Sequence, residues 1–408
     1  MITRLSVAAR TMSIAACTLL AACPGGPGTG GSGPVTPRLP GSNPGHVNGQ
    51  MVVLGTRLPG VEKLRIRTDA AGKITKLALY HKDATQVPPS ILALAAEKLP
   101  GAKVLRYETE IYADKGHAFD VEMTSADGKE CEVAALADGT FLYSECAIKL
   151  DEIPAPARAA AVALVPRGEI VEAERKKGPA ADELTIEMKN AGLVHYLRVT
   201  PTGDVLWHGL RVPAFVELAW DPAAPVPAPS DNPGYLDGEF IALAARAQGV
   251  VKAKIRTSLT GDVLKLALYH KDASHIPAPV RELAAGSGNQ LRYYESELFA
   301  ERGSVFEVEM VTPDNQECEI GARADGTKLY EECSVKKESI PAAVSAAANK
   351  AAPGGEIVEV ERKVGDGVVE FSVELNNAAG MHYIKINETG DVVWHGLRIP
   401  VDLEVTVP

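Results

Sequence analysis

The residues able to do chemistry in this chain come in matched sets. Tyr196, Arg198, Trp207 and Arg211 recur as Tyr383, Lys385, Trp394 and Arg398. Tryptophan, tyrosine and arginine dominate the energetics of binding interfaces, so these eight are the candidate ligand-binding residues. Histidines recur as well: His195 and His208, then His382 and His395. Two such rings on adjacent strands stand close enough to share a metal. Their companions are aliphatic and no third ligand is evident, so hydrogen-bonded buried histidines are expected and no metal site is assigned. His81 and His270 lie near Asp83 and Asp272, which suits the capping of strand ends. No HExxH, GxSxG, phosphate-binding loop or dinucleotide fingerprint occurs. The expectation is a protein that is not an enzyme and needs no cofactor.

Cysteine is the second chemistry. Cys131 and Cys146 flank Asp138-Gly139, and Cys318 and Cys333 flank Asp325-Gly326 at the same spacing. Asp-Gly between β-rich runs signals a hairpin. Counting outward from a two-residue turn sets each cysteine opposite its partner, so two cross-strand disulfides are predicted. That count also puts each pair at a hydrogen-bonded site, the less comfortable place for a bridge unless a bulge changes the register. The CxxC spacing of zinc sites is absent.

These residues sit on segments that alternate apolar and polar residues, the mark of half-buried strands. Leu184, Ile186 and Met188 share one face with His195, Leu197, Val199, Leu206, His208, Leu210 and Val212. This is the expected core face, and aligning the hairpin turns places the cysteines on it too. Tyr196, Arg198, Trp207 and Arg211 fall on the other face, expected to be open. Ile-Pro or Val-Pro dipeptides at Val87-Pro88, Ile153-Pro154, Ile276-Pro277 and Ile340-Pro341 open Ala-rich helices. Each helix is followed by four strand-like runs.

The pattern repeats on a larger scale. Leu77 to Ala84 reappears without change as Leu266 to Ala273, and Trp207 to Arg211 as Trp394 to Arg398. The turn Asp127-Gly128 is replaced by Asp314-Asn315, and Asn also tolerates the left-handed conformation. The expected fold is α+β: two homologous domains, residues 50–220 and 235–408. Each holds two helix-plus-four-stranded antiparallel meander units. A Pro/Ala-rich linker spans 221–234, and a Gly/Pro-rich tether spans 23–49.

The formal net charge of −11 argues against nucleic acid as a partner. Arg4 and Arg10 precede a short apolar run ending Leu20-Ala21-Ala22-Cys23, a leader too short to span a bilayer. It resembles the lipobox of bacterial lipoproteins. That resemblance implies a signal peptide over 1–22, lipid on Cys23 and a membrane-anchored exported protein. With Pro24 after the cysteine, the outer membrane is the expected location. An oxidising compartment also suits the paired cysteines.

The Ile-Pro helix followed by a meander, over 87–212 and 276–399, is similar to the PepSY-like family and the β-lactamase-inhibitor-protein fold. The resemblance implies an extracytoplasmic binding or inhibitory module without catalytic residues. The expected function is binding of a protein or extended peptide through open sheet faces. The alternatives are a structural envelope protein whose modules contact only each other, and a carrier of a metal or small ligand.

Overall fold

The computed structural model describes residues 60–70, 74–112, 116–220, 249–259, 262–285, 288–300, 303–365 and 367–407. The leader, the tether, Cys23 and the 221–234 linker lie outside these residues. In the first half, β1 (Val61–Thr68) and β2 (Ile74–His81) form a hairpin. Helix α1 (Pro89–Lys98) precedes β3 (Lys103–Tyr112), β4 (Gly116–Thr124), β5 (Glu130–Leu136) and β6 (Phe141–Ala147). Helix α2 (Ala155–Leu164) precedes β7 (Glu169–Gly178), β8 (Ala181–Asn190), β9 (Leu193–Val199) and β10 (Val205–Ala219).

The second half repeats this order. It runs β11 (Val250–Thr257), β12 (Val263–His270), α3 (Ala278–Ala285), β13 (Gln290–Phe299), β14 (Gly303–Val311), β15 (Glu317–Ala322) and β16 (Lys328–Ser334). Helix α4 (Ala342–Ala351) and then β17 (Glu356–Gly365), β18 (Val368–Asn377), β19 (Gly380–Asn387) and β20 (Val392–Thr406) follow.

The α+β expectation is overturned. Strands hold 59% of the described residues and helices 16%, and all twenty strands belong to one sheet. The helices and hairpins stand where the sequence puts them, but the meanders do not end at each helix. Strand β2 pairs with β3 across α1, and β6 pairs with β7 across α2. The second half does the same at β12–β13 and β16–β17. The helices are short and cover single patches of a continuous sheet.

The pairings close two rings. Strands β1 to β10 pair in sequence, β10 pairs with β20, and β20 returns to β1. Strands β11 to β20 pair in sequence, and β10 closes that ring against β11. Each barrel thus borrows one strand from the other half. The long strands β10 and β20 lie antiparallel from Gly209↔Thr406 to Ala219↔Gly396. Strand β10 pairs with β9 up to Arg211 and with β11 from Ala214. Pro213 sits at that handover, and Pro400 at the matching point between β19 and β1. Proline is rare in a central strand because it cannot donate to the ladder. Here it occupies the gap where one neighbour has ended and the next has not begun.

Two kinds of apolar core lie on the outer faces. Across β1, β2, β10, β11, β12 and β20 runs one layer that includes Leu64, Leu77, Val212, Val216, Leu266, Val401 and Leu403. Each helix builds a smaller one. Ala157 and Ala161 of α2 pack on Leu184, Ile186, Leu197 and Val199, and α4 does the same with Val344 and Ala348 on Val373 and Ile384. Small residues on the buried helix face let the helix lie close to the sheet.

Both predicted disulfides form, between Cys131 and Cys146 and between Cys318 and Cys333. The turn is longer than two residues: Leu136 N–H bonds Thr140 O, and Gly139 takes φ 88°. A bulge between Ala134 and Ala135 restores the register, so Cys131 still faces Cys146. Their Cα atoms are 4.1 Å apart, the close spacing of a pair that exchanges no hydrogen bonds. Cys318 and Cys333 pack with Ile276 and Val280 beneath α3, on the core face as expected. Asn315 adopts φ 64° where Gly128 has 83°, as the substitution in that turn predicts. Replacing Cys131 and Cys146 together by alanine should lower the unfolding free energy by about 3 kcal/mol, the loop-closure value for this span. Urea titration of the oxidised protein measures it.

Candidate functional site

Closure of the rings turns the second face of every strand inward. The face carrying Tyr196, Arg198, Trp207 and Arg211 was expected to be open, and that expectation is corrected. In the first barrel Tyr196, Arg198 and Arg211 line a lumen of about 420 Å³, and Tyr383, Lys385 and Arg398 line one of about 340 Å³ in the second; the linings do not include Trp207 or Trp394. The structure brings each set of four together inside one barrel, and it places the two sets in different barrels.

Trp207 is half-buried. Its indole N–H donates to Thr406 Oγ1 (3.0 Å), whose hydroxyl donates to Thr68 O (2.6 Å). The Arg67 guanidinium covers the ring at 4.6 Å from its centre, as Arg256 covers Trp394. Each indole folds back over the strand at Gly209 or Gly396, where a Cβ would collide with it. Arg211 stacks on Tyr196 at 4.0 Å and pairs with Glu187 and Glu404. Arg398 stacks on Tyr383 at 4.6 Å and pairs with Glu374 and Glu217. Arg198 binds Glu183 with two nitrogens, each at 2.9 Å. Lys385, pulled down to about 8 by burial and then by Arg256 and Lys363, faces the second lumen.

Behind the arginines of each lumen stands a carboxylate that the sequence does not single out. Glu404 on β20 and Glu217 on β10 are fully buried. Burial alone would raise the Glu404 carboxyl. Arg67, Arg65 and Arg211 outweigh that and hold it far below its usual range. Arg256, Lys254 and Arg398 do the same for Glu217.

Acidic groups stand beside these cations, with Glu108 3.9 Å from Arg65. Glu108, Glu110 and Asp120 lie together, all buried, and Glu295, Glu297 and Glu307 repeat them. Lys76 pairs with Glu110 in the first set and Lys265 with Glu297 in the second. Burial pulls Lys76 down to about 8 and Lys265 to about 7. Burial and then Glu108 push Asp120 up to about 7, while the Tyr143 hydroxyl donates to it (3.0 Å). Glu132 lies directly between Glu122 and Glu145 on neighbouring strands. Burial and then Asp120 and Glu145 raise it well above the carboxylate range.

The signal for these groups is present in sequence as charge at every second residue of β3, β4 and β13. Alternation shows that they share a face. It does not show that the face is enclosed.

The histidines stay on the outer face. His195 Nδ1 lies 3.0 Å from His208 Nε2, and His382 Nδ1 lies 2.9 Å from His395 Nε2. No third His, Cys, Asp or Glu ligand joins either pair among the described residues. His81 is buried, with Nδ1 at 3.2 Å from Asp83 O and Nε2 at 3.1 Å from Thr109 Oγ1. Asp83 itself caps a short 3-10 turn through Thr85 N–H (2.9 Å).

No family model and no curated protein matches the chain. Solved structures similar to part of it include a BLIP-like protein from Bacteroides fragilis. That match has 17% identity and a TM-score of 0.25, and covers 30% of this chain and 86% of that one. A protein described as periplasmic from Bacteroides eggerthii matches at 17% identity and 0.25, over 30% and 88%. A DUF2874 family protein from Bacteroides uniformis matches at 15% and 0.26, over 30% and 89%. At these scores none of them bears on what this chain binds.

Two outcomes are expected. Glu404→Gln removes the anion that three buried arginines share, and should cost about 3–5 kcal/mol of stability, the usual loss when one partner of a buried ion cluster is removed. Urea unfolding at neutral pH measures it. The raised carboxyls give a second sign. Asp120, Glu174 and Glu307, each pushed to about 7 by burial first, bind protons more tightly folded than unfolded. Their contribution is complete at low pH and is lost as pH rises through 7. The urea midpoint should fall between pH 5 and pH 7, and Glu307→Gln should flatten that fall.

Proposed function

We propose that this chain is an exported, lipid-anchored binding protein, not an enzyme, whose two barrel lumens each take a small zwitterionic solute such as an amino acid or a short peptide. The observation that carries this reading is that each lumen is lined by both signs of charge. Arg65, Arg67 and Arg211 share the first with Glu110, Glu122 and Glu132, and Lys76, Arg106 and Lys176 stand among the carboxylates. In the second barrel Lys254, Arg256 and Arg398 share the lumen with Glu307, Glu309 and Glu319. A solute with an anionic and a cationic end meets partners of both signs at once, whereas a solute of one sign meets repelling groups beside attracting ones. Tyr196 and Tyr383 supply flat apolar surface in the lumens.

The enclosed geometry favours a small solute or a chain end over the flat surface of a folded partner. Arg198, a third exposed at its side chain, lines the first lumen. The leader and the paired cysteines support export. Anchoring through Cys23 follows from the lipobox resemblance, and an outer-membrane location from Pro24. The N-terminal peptide of the mature protein should carry a diacylglyceryl group on Cys23 by mass spectrometry.

The binding test is titration calorimetry of the mature protein against a panel of amino acids and dipeptides. The expected result is two sites per chain. Arg198→Ala should weaken one at least tenfold and Lys385→Ala the other, with folding checked by circular dichroism. Absence of binding at millimolar concentration, or affinities unmoved by both variants, leaves the lumens as self-satisfied ion networks and sinks the reading.

A further inference from the structure

The two histidine pairs stand on the outer sheet face, away from the lumens, and nothing in the binding reading uses them. We infer that each pair, His195 with His208 and His382 with His395, is a bidentate site for a tetragonal transition-metal ion such as Cu(II) or Ni(II).

The first argument is spacing. Two imidazole nitrogens bound at the usual 2.0–2.1 Å are separated by about 2.9 Å when cis on a square plane, and by about 3.3 Å on a tetrahedron. The observed separations are 3.0 Å and 2.9 Å. The backbone already holds the rings at the cis distance. His195 and His208 lie on paired strands, held by Leu210↔His195 and His208↔Leu197. The second pair is held by His382↔Leu397 and Ile384↔His395.

The second argument is the tautomer. His382 Nε2 lies 2.9 Å from Asn377 Oδ1. An amide oxygen only accepts, so Nε2 carries the proton and Nδ1 presents a lone pair towards His395. This is the arrangement in which a hydrogen bond to the far nitrogen orients a metal-binding histidine.

The bound ion replaces the hydrogen of the ring-to-ring bond. In the second pair His395 Nε2 gives up that hydrogen, which moves to the other ring nitrogen through water; in the first pair the donating ring does the same. Each ring turns about its Cβ–Cγ bond so that both lone pairs meet the metal.

The two sites differ in cover. His195 and His208 are both half-buried. His382 is buried, and Trp220 meets its ring edge-on with centroids 5.4 Å apart. The first pair therefore loads more readily, and an ion in the second lies close enough to Trp220 to quench its fluorescence.

The test is titration of the mature protein with CuCl2, read by electron paramagnetic resonance and tryptophan fluorescence. The expected spectrum shows two imidazole nitrogens per copper at two sites. His195→Gln should remove one site and leave the part of the quenching that comes from Trp220. His382→Gln should remove the other site and that part of the quenching. Circular dichroism confirms that both variants are folded. Copper signals and quenching unchanged in the double variant, or tetragonal spectra without imidazole coupling, overturn the inference. The lumen variants Arg198→Ala and Lys385→Ala should leave copper binding untouched, which separates this inference from the solute-binding reading.

Discussion

The fold turns on two carboxylates. Glu404 and Glu217 sit at the matching points of the antiparallel pair β10–β20, each inside a different barrel and each held by two or three cations. Arg67 from β1 and Arg211 from β10 converge on Glu404, so the charge lies where β1, β20 and β10 are joined. Breaking that convergence exposes buried charge on three strands at once. Ion clusters of this kind are weak as net stabilisers, but loss of one partner is costly. The register in which β20 crosses from one barrel to the next is the one that sets Glu404 opposite Arg211 and Glu217 opposite Arg398.

From that register the lumens follow. Once β1 is tied to β20, the inward face of every strand from β1 to β10 is enclosed. Its lysines, arginines, glutamates and tyrosines must then find partners among themselves or in a bound solute. The second barrel repeats the arrangement with small changes, such as Arg198 to Lys385 and Asp120 to Glu307. An enclosed face in which each charge is balanced by another tolerates few substitutions, since losing one member strands its partner.

Much of the local structure is legible in the sequence. The hairpins, the helix starts at Ile-Pro, the face on which Leu184, Ile186 and Met188 lie, and the cysteine pairs all follow from period and punctuation. What is not legible is which strands become neighbours over long separations. Strand β1 pairs in parallel with β20, and nothing in the alternation of Leu64 to Thr68 names that partner. The segments after Pro213 and Pro400 carry strand-like alternation. Proline reads as an end there, although it marks only a change of neighbour. The site was half legible for the same reason. Tyr196, Arg198, Trp207 and Arg211 share a face, as alternation shows. Enclosure of that face, and the recruitment of Glu404 to it, depend on closure across the whole chain.

The exchange of strands sets an order on the life of the molecule. The first barrel contains residues 61–219 in sequence, yet its closing strand begins at Val392. Contacts of such long sequence separation form late and slowly. A chain is made from its N-terminus, so the first half must wait, unclosed, until β20 has been made. The two disulfides fall within that interval. Each closes a short hairpin that needs no distant partner, and so gives each half a covalently fixed segment before either barrel can exist. A chain ending short of β20 lacks the final strand of both rings, which makes synthesis of that strand and completion of the fold a single event.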